Sequence, residues 1–236
     1  MTYSLYALFG VLPSIIWLMF YLRKDSHPES NRMILKVFFY GMLAALPAIF
    51  IEIGALEKLK ELNLSSNLLS FLNVFIAVAL VEEFLKYLVV REKVLTSSEL
   101  DEPIDVMLYM IIAALGFAAS ENILILFSLG SSSALAEIFS VSIFRFVGAT
   151  FLHTLASGLL GFFLALSIFK TRSRGKIIIA GLISATLLHG FFNFSIIEMK
   201  GVFSFLIPAL ILLCLAVFVT FAFRRLKKIK SVCKIH

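Results

Sequence analysis

Residues 69–90 read LSFLNVFIAVALVEEFLKYLVV. About 20 mostly apolar residues in a helix cross the hydrocarbon layer of a bilayer, and this stretch supplies them. Yet it carries Glu82, Glu83 and Lys86 within it. An ionisable side chain at bilayer depth costs about 2.5–3.5 kcal/mol on insertion scales, so each needs a partner or a hydrated cavity. The apolar run identifies lipid as the solvent, and the charges inside it mark a place where something other than anchoring happens.

Outward from there, six more stretches have the same length and character: roughly 3–22, 33–53, 104–128, 144–169, 177–197 and 202–223. In lipid the backbone must satisfy its own hydrogen bonds, so the expected fold is all-α, a polytopic transmembrane bundle of about seven spans. The first stretch lacks a basic leader and is too long for the apolar core of a cleavable signal, so it is read as a span. The segment Ser131–Ile143 is read as a loop with a short interfacial helix near residues 134–139, not as an eighth crossing. Connections this short leave room for one membrane-embedded domain over residues 1–236, ending in a basic tail at 224–236.

Composition agrees. Of 236 residues, 61% are hydrophobic and 15% charged, against about a quarter charged in soluble domains. This excludes an ordinary soluble enzyme, a nucleic-acid-binding domain and a disordered regulator. The formal charge of +6 follows from where the basic residues lie. Fifteen sit in connections facing one side (Arg23, Lys24, Arg32, Arg91, Lys93, Lys170, Arg172, Arg174, Lys176 and six in the tail), and only Lys58, Lys60 and Lys200 face the other. By the positive-inside rule the N-terminus is expected outside and the C-terminus in the cytoplasm of a multi-pass cell-membrane protein. Cys214 and Cys233 form no disulfide framework.

Polarity within the spans is concentrated in the third to the sixth. Beside Glu82, Glu83 and Lys86 stand Ser120, Glu121 and Asn122, then Arg145 and His153, then His189 and Asn193. Glu52 is expected at a span end and Asp105 at another. Counted from the outer ends of their spans, Glu121, His153 and His189 lie at similar depth. Glu82 and Lys86, four residues apart, share a helix face and can pair. Arg145, Ala149 and His153 are expected on one face, as are His189 and Asn193. Each feature has a plain explanation as helix–helix glue or snorkelling. The conjunction of three glutamates and two histidines on four helices is what points to chemistry.

Two chemistries suit that set. A carboxylate tuned by burial can act as general base on water while a histidine and an asparagine hold the oxyanion, giving a hydrolase without a covalent intermediate. Two histidines and a carboxylate can instead bind a divalent metal with an open position for water. No compact metal motif such as His-Glu-x-x-His is present, and no Gly-x-Ser-x-Gly marks a nucleophilic serine, although Ser120 and Ser157 lie in these spans.

The motifs Glu82-Glu83-x-x-Lys86, Phe117-x-x-x-Glu121-Asn122, His153 and His189-x-x-x-Asn193 resemble those of the PrsW family of intramembrane proteases. The N-terminal Leu12-Pro13-Ser14-Ile15-Ile16-Trp17, followed by Tyr21-Leu22-Arg23-Lys24-Asp25-x-x-Pro28-Glu29, is similar to the start of that family. PrsW proteins are in turn similar to CAAX prenyl endopeptidases and bacterial CPBP membrane proteins, whose second motif ends in His where this chain has Glu121. The resemblance implies a protease that cuts a single-span membrane protein, an anti-sigma factor, on its extracytoplasmic side as the first step of regulated proteolysis. It assigns water activation to Glu82 or Glu83, aided by Glu121 and His153, and oxyanion support to His189 and Asn193. The spread of the motifs favours a glutamate mechanism with no required cofactor. The alternative is a divalent metal such as zinc, held by Glu82, Glu121, His153 and His189. The expected partners are the single-span substrate and the bilayer, with no nucleic acid. A non-catalytic membrane scaffold is the reading from another class. An ion-coupled transporter ranks below it, because the spans show no inverted repeat.

Overall fold

A computed structural model describes residues 3–25, 27–97, 100–130 and 134–229. Among these residues there are helices and no strands. The helices are α1 (Tyr3–Leu22), α2 (Asn31–Glu61), α3 (Ser66–Leu72), α4 (Val81–Lys93), α5 (Pro103–Ser128), α6 (Leu135–Val147), α7 (Ala149–Ile168), α8 (Arg174–Glu198) and α9 (Phe203–Leu226). A π-helical stretch, Asn73–Leu80, joins α3 to α4 without a break, and a short 3₁₀ turn, Thr171–Ser173, precedes α8. Taken as continuous rods, α3 through α4 and α6 through α7 each make one span, so seven helical segments are long and apolar enough to cross a membrane. The seven expected spans stand.

Local chemistry fixes the ends. Ser30 caps α2 by accepting the Met33 N–H at 3.2 Å. At α5, Asp105 Oδ2 accepts the N–H groups of Asp101 and Glu102, with Pro103 opening the helix where its missing donor costs nothing. Gly130 follows α5 with a positive φ of 84°, a conformation that suits glycine.

Helix α5 is the axis of the bundle. It is apolar on all sides and buried continuously from Pro103 to Ala119, the signature of a helix enclosed by others. Helices α1, α2 and α7 pack around it, α8 packs on α7, and α9 on α7 and α8. Gly41 of α2 and Gly116 of α5 let those two backbones touch: a Cβ on Gly41 would strike the Ala113 carbonyl, and one on Gly116 the Phe38 carbonyl. The outer faces carry Phe50, Phe205 and Val217, all exposed, as lipid contact requires.

Three expectations are corrected. Helix α2 runs to Glu61, well past the expected end at 53, so Glu52 lies inside a helix and not at a span end. The interfacial helix expected near 134–139 is the start of α6, which runs to Val147. Gly148, with φ −101° and ψ −95°, separates α6 from α7, so Arg145 and His153 belong to different helices and do not share a continuous face. Trp17 holds this break: its ring stacks on Phe151 at 4.2 Å between centroids, and its Nε1 donates to the Phe146 carbonyl at 3.0 Å. Arg224–Leu226 continue α9, and residues 230–236 of the expected basic tail lie outside the described part.

Candidate active site

Four helices deliver the polar groups to one place. Helix α4 brings Glu82, Glu83 and Lys86; α5 brings Glu121 and Asn122; α7 brings His153 and Ser157; α8 brings His189 and Asn193. Glu83, Lys86, His153 and His189 are at most 2% exposed. Burial this complete demands that every polar atom find a partner.

Lys86 is the hub. Its ammonium donates to Glu82 Oε2 at 3.2 Å, to Glu83 Oε1 at 2.8 Å and to His153 Nδ1 at 2.8 Å, using all three protons. It also stands 4.5 Å from the centre of the Phe117 ring. Lys86 therefore pairs with Glu82, as the four-residue spacing allowed, and with Glu83 as well. What separates them is the rest of their surroundings. Glu83 Oε1 also accepts from His189 at 2.9 Å, and its Oε2 accepts from Ser157 Oγ at 2.8 Å. Glu83 is thus saturated, whereas Glu82 faces the imidazoles, with Oε2 at 3.5 Å from His153 Nδ1 and 3.9 Å from His189 Nε2.

These contacts set the tautomers. A carboxylate only accepts, so the His189 nitrogen facing Glu83, Nδ1, carries the proton and Nε2 presents its lone pair. His153 places Nε2 at 2.8 Å from Glu121 Oε2, so that nitrogen is protonated, and the lone pair of Nδ1 accepts from Lys86. The two rings lie nearly perpendicular, 5.0 Å apart. Glu82, His153 and His189 each offer one ligand atom within 4.8 Å of the others. Glu121 is outside that group, on the far side of the His153 ring, which differs from the four-residue ligand set expected from sequence.

A cavity of about 660 Å³ leads to the imidazoles. Glu121, Arg145, His153, His189 and Asn193 line it together with apolar residues such as Phe192, Phe205 and Leu212. Its walls come from the C-terminal end of α6, the N-terminal ends of α7 and α9 and the C-terminal half of α8, which share one end of the bundle. Glu82, Glu83 and Lys86 lie behind the imidazoles, off the cavity wall.

All six expected site residues are gathered here. Sequence reasoning gave Arg145 a snorkelling or pairing role with no partner, and it left Ser157 unused. The structure seats Arg145 Nη2 at 3.0 Å from Glu121 Oε2, an ion pair without a directed hydrogen bond. Glu52, internal to α2, interacts electrostatically with both Glu82 and Glu121. The signal for each was an intramembrane polar residue in the right span, and only the packing of neighbouring helices reveals the partner.

Comparison with known proteins agrees with the geometry. A family model described as PrsW family intramembrane metalloprotease matches residues 29–223. The chain is 31% identical to Protease PrsW of Oceanobacillus iheyensis over 208 residues, covering 86% of this chain and 88% of that protein. It is 31% identical to Protease PrsW of Geobacillus kaustophilus over 187 residues (78% and 76%), and 28% identical to Protease PrsW of Bacillus subtilis over 226 residues (94% of each). No solved structure matches.

Proposed function

The chain belongs to the PrsW family of intramembrane proteases, and from that premise we propose that it hydrolyses a peptide bond in a single-span, anti-sigma-factor-like membrane protein, with water activated among Glu82, His153 and His189. The observation that carries this reading is the pairing of one nitrogen of each imidazole with a carboxylate, which turns the other, His153 Nδ1 and His189 Nε2, toward Glu82. A carboxylate behind a ligating histidine is the arrangement that orients metal ligands. One carboxylate and two imidazoles form a donor set that fits a divalent ion such as zinc with a fourth position for water, and the ion would take the place of Lys86 at His153 Nδ1. Bound there, the ion would polarise the substrate carbonyl and acidify the water.

The chain's own groups do the remaining work. Glu83 and Glu121 fix the tautomers of His189 and His153. Lys86 offsets the charge of the adjacent glutamates. Asn193, four residues from His189 on the cavity wall, supplies an amide N–H for the carbonyl oxygen as it becomes negative. Apolar walls hold the unwound substrate segment and keep bulk water from the reacting bond. The Lys and Arg bias supports a cavity in the extracytoplasmic half, because its end of the bundle lies opposite Arg224 and Arg225. That placement suits a first cut outside the cytoplasm.

One observation favours a second reading. Lys86 Nζ already stands 2.8 Å from His153 Nδ1, so without a metal it can hold Glu82 as the general base of a glutamate protease. Both readings require Glu82→Ala, Glu83→Ala and His189→Ala to abolish cleavage of a co-expressed, epitope-tagged single-span substrate while the protein still inserts. Retained cleavage in all three would remove the assignment. Chelation of the purified enzyme separates the two: lost activity supports the metal, and undiminished activity supports glutamate alone.

A further inference from the structure

We propose that Arg145 is a positioning residue: it clamps the Glu121 carboxylate, and that carboxylate in turn holds the His153 ring with Nδ1 turned to the volume shared with Glu82, His189 and Lys86. The inference rests on the metal-holding reading of that volume.

The break at Gly148 is what makes room for this. On one continuous helix Arg145 would only be a neighbour of His153, two turns away. Ended at Val147, α6 presents Arg145 to α5 as an independent element. Both residues then converge on a single atom: Glu121 Oε2 lies 3.0 Å from Arg145 Nη2 and 2.8 Å from His153 Nε2. The guanidinium is held along the same edge by a second contact, since its Nε donates to Asn122 Oδ1. Asn122 is itself tied down, its Nδ2 donating to the Gly10 carbonyl at 3.2 Å and to Thr150 Oγ1 at 3.0 Å. One planar cation thus bridges adjacent residues of α5, and through Asn122 that bridge is braced against α1 and α7.

The clamp matters because Glu121 borders the cavity, with its side chain 31% exposed. Among the described residues, its ion-pair and hydrogen-bond partners are Arg145 and His153. Without the guanidinium, the His153 hydrogen bond alone in that set holds the carboxylate at the cavity edge, and a carboxylate that rotates into the cavity takes from His153 the acceptor of its Nε2 proton. Arg145 itself reaches none of the three ligand atoms. Its influence passes through Glu121, as an outer partner of a metal ligand acts.

Cobalt binding to the full-length protein in detergent tests this without a substrate. Co²⁺ titration, followed by its visible absorption band, is compared for the wild type, Arg145→Met, Arg145→Gln and Arg145→Lys. The expected result is a loss of about 10–100-fold in Co²⁺ affinity for the Met and Gln variants, with a changed band, and substantial recovery with Lys. Should the Met variant not be recovered as a monodisperse protein, the Gln variant carries the same comparison. Wild-type affinity and an unchanged band in the neutral variants would overturn the role of Arg145 and leave the metal reading standing. A wild-type protein that binds no Co²⁺ would overturn both.

Discussion

Replacing Lys86 by Met keeps the length of the side chain and removes the cation on which the polar cluster converges. Lys86 is fully buried, and its three donated bonds reach Glu82, Glu83 and His153 at 2.8–3.2 Å. The variant leaves two adjacent glutamates in the bundle without that counter-charge. Breaking a buried pair by removing one partner costs about 3–5 kcal/mol. At about 2–4 °C per kcal/mol for a chain of this size, the apparent Tm should fall by roughly 6–20 °C. Thermal unfolding in detergent, followed by Trp17 fluorescence and by gel filtration, reads the loss. The double variant Lys86→Met/Glu83→Gln removes charge from both sides and should recover about 0.5–3 kcal/mol relative to the sum of the singles. Added Zn²⁺ should also raise the Tm of the single variant, by restoring positive charge beside Glu82. A Lys86→Met protein within about 0.5 kcal/mol of the wild type, the range of an ordinary surface substitution, would refute the hub.

Three further outcomes follow from other parts of the molecule. Asn193→Ala should lower kcat by about 10²–10³-fold with little change in KM, as for loss of one oxyanion donor, measured on a purified single-span substrate; an unchanged kcat would remove that role. Gly54→Ala, with open space around its Cβ, should stabilise α2 by up to about 1 kcal/mol. Gly116→Ala should instead destabilise by about 1–3 kcal/mol, because its Cβ would meet the Phe38 backbone; equal effects at the two glycines would contradict the close α2–α5 contact. Burial raises the pKa of Glu29 above its usual value despite the Tyr109 hydrogen bond. An acid raised on folding stabilises the fold below its ordinary pKa and loses that contribution as pH climbs through the raised one. Glu29→Gln should therefore flatten the fall of Tm as pH rises above about 4.5, and an unchanged slope would count against it.

The spans were legible because lipid imposes a length and a composition that seven stretches meet plainly. The candidate site was legible for the same reason inverted: Glu82, Glu121, His153 and His189 are costly where they stand, so their positions invite an explanation. What the sequence did not carry was the detail of backbone and partner. Gly148 reads as one more glycine in an apolar run, and the helix breaks there in a setting where Trp17 takes the Phe146 carbonyl. The π-helical stretch Asn73–Leu80 is aliphatic apart from Asn73 and Phe75 and looks like an ordinary span. Glu52 fell at an expected end because the polar residues after it resembled a loop, whereas α2 continues to Glu61. The distinction between Glu82 and Glu83 depends on Ser157 and His189, more than 70 residues away. Periodicity places both glutamates in the bundle and has no means of telling which one is saturated.

The most direct measurement pairs zinc content with cleavage on a single purified preparation of the wild type and of the Glu82→Ala, His153→Ala and His189→Ala variants. The expected result is about one zinc per chain in the wild type, cleavage that disappears with chelation and returns with zinc, and neither metal nor cleavage in the variants. Zinc-free protein that cuts its single-span substrate at an undiminished rate would contradict a metal held by those three side chains.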